Sequence, residues 1–177
     1  GGGVIISPIT ILTAHHVVEP RPGVVRILFW NGVWGQGRVT ATDEGNDLAR
    51  ITVQDNEGRV ISIPVGLSIA ELDLNVPKIG EDVYSVSHPH TEFWSFSQGY
   101  VMYIGLRNQK AGDKEVERRV IQAAIDCSYG SSGAGLWNSD GRVVSILNII
   151  VGNTRIVESL PVALACKKLN IACKEKP

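Results

Sequence analysis

Short segments that favour β-strands recur along this chain, and they limit its fold more than any other feature. They are rich in Val, Ile, Thr, Trp and Tyr and are separated by Gly, Asn, Asp and Pro at intervals of about ten residues. This pattern is typical of antiparallel barrels or sandwiches. The predicted strands are 3–6, 9–14, 24–30, 35–43, 48–54, 83–87, 95–106, 116–124, 135–137, 142–149 and 154–157.

One helix is predicted, over 160–168, because Pro161 would lie in its first turn and Lys167 and Lys168 at its end. No change of composition demands a second independent domain, so we expect one unit over 1–177. Within it, the stretch 67–79 is the natural link between two halves. We place these halves at 1–70 and 80–159, followed by the helix and a tail over 160–177.

The charges of the chain exclude several classes of partner. Lysine plus arginine number 17 against 18 acidic residues, and the two signs are interspersed, so no footprint for nucleic acid or an anionic membrane exists. We therefore expect a polypeptide or a small molecule as partner.

The apolar stretch 143–151 is interrupted by Ser145 and Asn148 and is shorter than the roughly 18 to 20 residues that span a bilayer. This predicts a soluble protein. The chain carries no signal-peptide pattern, so its compartment stays open.

The cysteines do not suggest a disulfide framework. There are three of them, Cys127, Cys166 and Cys173, and the number is odd. Cys127 is interpreted as a small buried apolar residue rather than a reactive thiol. His88 and His90 are two residues apart, but no cluster of Cys or His residues in the sequence supplies further metal ligands. They are therefore interpreted as loop residues, and no metal site is predicted.

A serine between glycines is the strongest candidate for chemistry. Ser132 lies between Gly130 and Gly133 in a glycine-rich turn that joins two apolar segments. A serine presented in this way is a candidate nucleophile if a base, a group that orients the base and backbone N–H donors lie nearby. A structural turn is the simpler interpretation of the same four residues.

Two further residues supply the missing groups. His16 ends an apolar run as a candidate base, with His15 beside it as a competitor. Asp47 opens an apolar strand that would bring its carboxylate to the interior, where it could orient His16. Asp43 and Asp55 are the alternatives to Asp47, and both are interpreted as solvated turn residues.

The three stretches together resemble the catalytic blocks of chymotrypsin-like serine proteases. These stretches are Thr13-Ala14-His15-His16-Val17-Val18, Asp47-Leu48-Ala49 and Gly130-Ser131-Ser132-Gly133. The order is His, then Asp about 30 residues later, then Ser about 85 residues beyond, and it differs from the orders of subtilisin and the α/β-hydrolases. The similarity is greatest to the HtrA/Deg branch, in blocks at 3–13, 79–89, 97–101 and 122–125.

The resemblance implies a fold and a mechanism. The fold would be all-β, with two antiparallel six-stranded barrels and a short C-terminal helix, and the family's first strand would be missing because the chain begins close to the histidine block. The activity would be that of a serine endopeptidase with polypeptide substrates and no cofactor. Ser132 would attack, His16 would transfer the proton, Asp47 would orient His16, and the N–H groups of Gly130 and Ser132 would hold the oxyanion.

Substrate selection is less constrained. By resemblance, Asp126 lies at the base of the pocket for the residue before the cleaved bond (P1), where it would suit a basic side chain. Asn148, Ile149 and Ile150 would form the wall of this pocket, and Ile150 would narrow it in favour of small or aliphatic residues. The same wall can pair with substrate backbone as an edge strand. The aromatic residues Phe93, Trp94 and Phe96 are predicted to be barrel core, with an apolar substrate subsite as the alternative.

Two other functions remain compatible with the sequence. The chain could be the protease domain of a viral polyprotein, or a latent protease-fold module that binds peptides without cleaving them. The sequence leaves the oligomeric state open.

Overall fold

Eleven strands form two antiparallel sheets in the computed structural model, which describes residues 1–19, 23–111, 114–152 and 154–173. Every predicted strand is found within these ranges, and most of the strand ends lie within two residues of the prediction. The strands are β1 (Val4–Ser7), β2 (Thr10–Ala14), β3 (Val24–Leu28), β4 (Trp34–Asp43), β5 (Leu48–Gln54), β6 (Asp82–Ser87), β7 (Ser95–Ala111), β8 (Lys114–Ile125), β9 (Gly135–Asn138), β10 (Val143–Ile150) and β11 (Ile156–Pro161).

The first half of the chain is a five-stranded sheet in the order β1-β2-β5-β4-β3. Alternate residues of a strand point to one face, and the buried face of β5 carries Ala49, Ile51 and Val53. These side chains pack with Ile11 and Phe29 into one core. The prediction had six strands here, and no sixth strand is present among the described residues of this half, so β1 and β3 lie at the ends of the sheet.

The second half is a closed six-stranded barrel, as predicted. Its strand order is β10-β11-β8-β7-β6-β9. Its core is formed by aliphatic residues of all six strands, including Val83, Val101, Ile121, Leu136, Leu147 and Val157. Strands β7 and β8 are longer than predicted and pair continuously as far as Ala111 and Lys114. They therefore form a hairpin that extends beyond the barrel wall.

A third core joins the two halves. Leu12 and Leu48 of the first sheet pack in one cluster with Val143, Ile146 and Leu160 of the barrel. Residues 55–81 cross from one half to the other without a regular strand and form only isolated bridges, such as Leu72 with Val143. The two sheets thus share one buried seam.

Helix α1 (His15–Val18) is a single turn after β2. Helix α2 (Val162–Lys168) directly follows β11. The prediction placed the start of α2 two residues too early, because Leu160 and Pro161 continue β11. The helix ends with Asn170 in the left-handed conformation (φ 52°), and the N–H of Ile171 donates to the carbonyl of Cys166.

This helix end produces a disulfide that the sequence analysis did not expect. Cys166 and Cys173 are bonded, with their Cα atoms 5.9 Å apart. The chain reverses at Asn170, and this brings Cys173 back against the last turn of α2. The disulfide therefore uses two of the three cysteines, which is compatible with their odd number. Cys127 is free, and burial, the largest cause, raises the pKa of its thiol to about 11. It packs against the barrel core, as predicted.

Some predictions concern residues outside the described ranges. These are residues 174–177 of the predicted tail. Among the described residues, no helix combines the length and apolar character needed to cross a membrane.

Candidate active site

The turn that carries Ser132 lies where the two halves meet. It connects β8 to β9, and the N–H of Gly2, from the first half, donates to the carbonyl oxygen of Ser132 at 2.7 Å. Gly133 adopts a positive φ of 85°, and a Cβ there would lie 2.3 Å from Oγ1 of Thr13. Only glycine fits at this position, and the close approach fixes Ser132 against the first sheet.

The loop that contains His88 and His90 contacts the Ser132 turn through backbone groups. The N–H of His90 donates to the carbonyl oxygen of Tyr129 at 2.8 Å, and a Cβ on Gly130 would lie 2.3 Å from the carbonyl oxygen of His88. Because C=O and N–H point in opposite directions across a trans peptide, the Gly130 N–H points away from this loop. Within the described part of the chain, neither Gly130 N–H nor Ser132 N–H donates a hydrogen bond.

His16 and Asp47 form a bonded pair. Nδ1 of His16 lies 2.8 Å from Oδ2 of Asp47, and the backbone N–H of His16 donates to Oδ1 at 2.8 Å. His16 lies in α1, directly after β2, and Asp47 lies in the turn before β5, so the pairing of β2 with β5 brings the two residues together. The Asp47 side chain is 13% exposed and that of His16 is 44% exposed. The imidazole therefore has one nitrogen held by a sheltered carboxylate.

Asp47 has more partners than the sequence indicated. The side-chain amide of Asn148 donates to Oδ2 of Asp47 at 2.9 Å and to its backbone oxygen at 2.8 Å, and the N–H of His15 donates to the same backbone oxygen at 3.1 Å. Asp47 has a φ of 50°, a conformation that aspartate tolerates better than most residues. The prediction made Asn148 a wall of the substrate pocket, but its amide is turned inward to the carboxylate.

These contacts shift both pKa values. The hydrogen bond with Asp47 raises the pKa of His16 against the opposing effect of burial. Burial on its own would raise the pKa of Asp47, but the hydrogen bonds from His16 and Asn148 outweigh it and hold that pKa below its ordinary value. The pair is therefore suited to an ionised carboxylate beside an imidazole that accepts a proton.

Ser132 shares one cavity with the pair. The cavity has a volume of about 670 Å³ and its lining includes His16, Asp47, Ser132, Asn148, Ile149 and Ile150. The hydroxyl of Ser132 donates to the carbonyl oxygen of Asn148 at 3.2 Å. No hydrogen bond joins Ser132 to His16 among the described residues.

Asp126, the predicted base of the P1 pocket, forms an ion pair at the surface. Asp126 is not among the residues that line this cavity, and its carboxylate is paired with the guanidinium of Arg155. Its side chain is 67% exposed. The negative charge of Asp126 is therefore already balanced at the surface.

The alternative residues have local roles. Asp43, the last residue of β4, accepts from both the backbone and the side chain of Asn46, and Asp55 is paired with Arg59, so both carboxylates make local contacts. Phe93, Trp94 and Phe96 are 61%, 40% and 66% exposed, so the prediction that they form barrel core was wrong. Phe93 and Trp94 pack against the His88 ring, and Phe96, in β7, stacks on Tyr84. No group of three metal-ligating side chains occurs within the described ranges.

Two features were missed by sequence reasoning. The inward turn of Asn148 had one available signal, because an amide in the apolar run 143–151 must find a partner when it is buried. The support that the backbone of His88 and His90 gives to the Ser132 turn had no sequence signal, since it depends on carbonyl and N–H groups that every residue carries.

Comparison with known proteins shows what this chain is similar to. The family described as trypsin-like peptidase domain matches residues 1–146. Serine endoprotease DegS of Haemophilus influenzae is 29% identical over 168 residues, which is 93% of this chain and 46% of DegS. The putative serine protease HhoA of Synechocystis is 31% identical over 149 residues, covering 82% of this chain and 36% of HhoA. The chain thus spans less than half the length of these curated relatives.

Solved structures share the fold. The Rv3671c protease from M. tuberculosis in its active form superposes with a TM-score of 0.82 at 18% identity, over 100% of this chain and 75% of that chain. The HtrA-type protease AlgW with a decapeptide gives a TM-score of 0.80 at 18% identity, over 96% of this chain and 50% of that chain.

Proposed function

This chain belongs to the trypsin-like peptidase family, and from that premise we propose that it is an HtrA-type serine endopeptidase with Ser132 as nucleophile, His16 as base and Asp47 as the group that orients His16. The observation that carries the proposal is the 2.8 Å contact between His16 Nδ1 and Asp47 Oδ2 in the cavity that Ser132 also lines. This arrangement leaves Nε2 of His16 as the proton acceptor.

The proposed reaction begins when the Ser132 hydroxyl turns from the Asn148 carbonyl to Nε2 of His16. The proton moves to Nε2 as Oγ bonds to the scissile carbonyl carbon, and the ionised Asp47 stabilises the imidazolium. The oxyanion accepts hydrogen bonds from the N–H groups of Gly130 and Ser132. The imidazolium then protonates the leaving amine, and water, activated by His16, releases the acyl group from Oγ. Apart from the substrate and this water molecule, the steps use only groups of this chain.

The proposed substrate is an extended polypeptide. Ile149 and Ile150 lie at the end of β10 beside the cavity, where their backbone can pair with a substrate strand. The protease AlgW of the comparison was solved with a decapeptide, which supports a peptide chain as the ligand.

At P1 we propose a small or aliphatic residue rather than a basic one. The Asp126 carboxylate, which would attract a basic side chain, is paired with Arg155. Ile149 and Ile150 line the cavity, and Ile150 packs against the barrel core, so they offer an apolar wall to a P1 side chain. The resulting preference is for side chains such as alanine and valine.

A P1 substrate series tests this preference. We expect kcat/KM to be about tenfold higher for alanine or valine than for arginine or lysine, because an apolar slot disfavours an unpaired charge. The measurement is hydrolysis of otherwise identical peptides that differ only at P1. Asp126→Asn is the matched variant and should leave the ratio nearly unchanged. A preference for arginine that disappears in Asp126→Asn would restore the basic alternative.

The nucleophile and the base are tested with a fluorophosphonate probe and intact-mass detection. We expect one label per wild-type chain, and none in Ser132→Ala or His16→Ala, because the probe requires an activated serine. His15→Ala is the matched control and should keep the label, which also separates the two neighbouring histidines. A folded wild-type protein that is not labelled would contradict the proposal and favour the latent peptide-binding module.

A further inference from the structure

Arg118, in β8, is a buried cation in the wall of the candidate active site. The residue is 5% exposed and lines the cavity that Ser132 also lines. Its Nε and Nη1 atoms are buried and have no hydrogen-bond partner among the described residues. Nη2 makes no hydrogen bond there either and is not one of the fully buried atoms, so it is the part of the guanidinium that can reach the cavity. Because arginine stays charged at every pH at which proteins work, its unused donors favour an added acceptor.

Glu158 and Asp47, two acids whose charges favour the Arg118 guanidinium, do not bond to it. Glu158 accepts from the side-chain amide of Gln109 at 2.6 Å on one oxygen and from that of Gln122 at 2.9 Å on the other. The Asp47 carboxylate is occupied by the contacts described above. These acids balance part of the positive charge, but neither offers the guanidinium a hydrogen-bond acceptor. We therefore look for the acceptor in a ligand of the cavity.

The charged residues that line this cavity are divided by sign. Lys110 and Arg118, the lysine and arginine of the lining, belong to the β7–β8 hairpin of the second half. The acidic residues of the lining are Glu19, Glu44 and Asp47, and all three belong to the first half. Lys110 is exposed and forms no ion pair with any described residue. The cavity thus has an acidic wall on one side and a basic wall on the other.

The end of β10 leaves a strand edge open along the same cavity. β9 pairs with β10 only as far as Gly135, opposite Ile146. Beyond that point Ile149 and Ile150 pair with β11 alone among the described strands, and both line the cavity. An extended peptide that pairs with the open edge passes Ser132. Because successive side chains of a strand point to opposite faces, every second side chain of such a peptide is directed to the same wall.

We propose that Arg118 and Lys110 form a subsite that takes an acidic side chain of the substrate, at one position close to the cleaved bond. The inference rests on the proposed function and specifies its substrate further. A glutamate or aspartate carboxylate accepts from Nη2 of Arg118, and the flexible Lys110 ammonium adds its attraction. The contact lies in a cavity from which the peptide excludes water, which strengthens it relative to a contact on the open surface. A lysine or arginine at this position is disfavoured.

The test moves a single glutamate along an internally quenched peptide that has alanine at P1, through the three positions before P1 and the three after the cleaved bond. Glutamine at the same position is the uncharged reference. We expect kcat/KM to be about tenfold higher for glutamate than for glutamine at one position, because the carboxylate forms a charge-assisted hydrogen bond. This ratio should fall to about one in Arg118→Met, which removes the charge and keeps a side chain of similar length. It should fall partly in Lys110→Gln.

Arg119→Met is the matched control for these variants. Arg119 lies on the exposed face of the same strand, is not part of the cavity lining and contributes the same charge, so the ratio should keep its wild-type value. Added salt should weaken the part that comes from the exposed Lys110. A glutamate preference as large in Arg118→Met as in the wild type would overturn the proposal. Should Arg118→Met fail to fold, an unchanged preference in Lys110→Gln would overturn it instead.

Binding to Ser132→Ala protein separates this inference from the proposed function. The Kd values of fluorescently labelled glutamate and glutamine peptides, measured by anisotropy, require no cleavage. Tighter binding of a glutamate peptide that is lost when Arg118→Met is added would support the subsite even if the wild-type protein cleaved no peptide. Equal Kd values for the two peptides at every position would overturn the subsite and leave the roles proposed for Ser132 and His16 untouched.

Discussion

Ser132→Ala is expected to reduce kcat/KM for peptide hydrolysis by about 10⁵ to 10⁶. The loss is large because it removes the atom that bonds to the substrate, and the base and the oriented carboxylate then have nothing to activate. Residual hydrolysis from substrate binding and the oxyanion donors should remain above the rate in water. The measurement is cleavage of an internally quenched peptide at enzyme concentrations high enough to follow the variant for hours.

Ser131→Ala is the control for this variant. Ser131 belongs to the same turn, is 3% exposed and exchanges a hydrogen bond with Ser87 at 3.0 Å. Its loss removes this hydrogen bond and the one that Ser131 Oγ accepts from the N–H of Ser128 at 3.3 Å. Together they cost about 1 to 2 kcal/mol of stability, and most of the activity should remain. If the two alanine variants lost activity equally, the effect would be a collapse of the turn and Ser132 would not be the nucleophile.

Asp47→Asn is expected to reduce kcat by about 10⁴. An asparagine can keep the left-handed backbone of residue 47, so the fold of the turn is preserved. Its NH₂ group, however, would face Nδ1 of His16 and select the tautomer in which Nε2 carries the proton and cannot accept another. Because the hydrogen bond to Asp47 is the main cause that raises the pKa of His16, the acid limb of the residual activity should move to lower pH.

Asp43→Asn serves as the comparison for Asp47→Asn. Asp43 lies in the same turn region and its carboxylate holds Asn46, not His16. This variant should keep kcat within about tenfold and leave the pH profile in place. A drop of 10⁴ in Asp43→Asn, with a mild effect of Asp47→Asn, would reverse the roles assigned to the two aspartates.

The strands were predictable because their signals are local. The run 48–54 alternates in burial as its sequence suggests, and every predicted strand occurs in the structure. The site stretches around His16, Asp47 and Ser132 could likewise be proposed from short motifs in a fixed order. Pairing between β2 and β5 and the seam between the halves then bring these stretches to one cavity.

The features that could not be predicted depend on contacts between distant residues. The pairing of Asp126 with Arg155 and the donation from Asn148 to Asp47 join residues that are 29 and 101 positions apart. The disulfide depends on a reversal at Asn170 that no spacing of cysteines reveals. Phe93 and Trp94 are exposed although their side chains are apolar. They lie in a loop and contact the His88 ring, and this packing is visible only in the folded structure.

The division of the site between two sheets has a thermodynamic consequence. His16 and Asp47 belong to the first half and Ser132 to the second. Hydrogen bonds from Gly2 to Ser132 and from Asn148 to Asp47 join the halves, together with the core around Leu48 and Val143. The proposed catalytic geometry therefore exists only while the halves are docked. A ligand that bridges both halves binds the docked form alone, so by linkage it must raise the free energy of separating them. Substrate binding and the docking of the two halves are therefore linked equilibria.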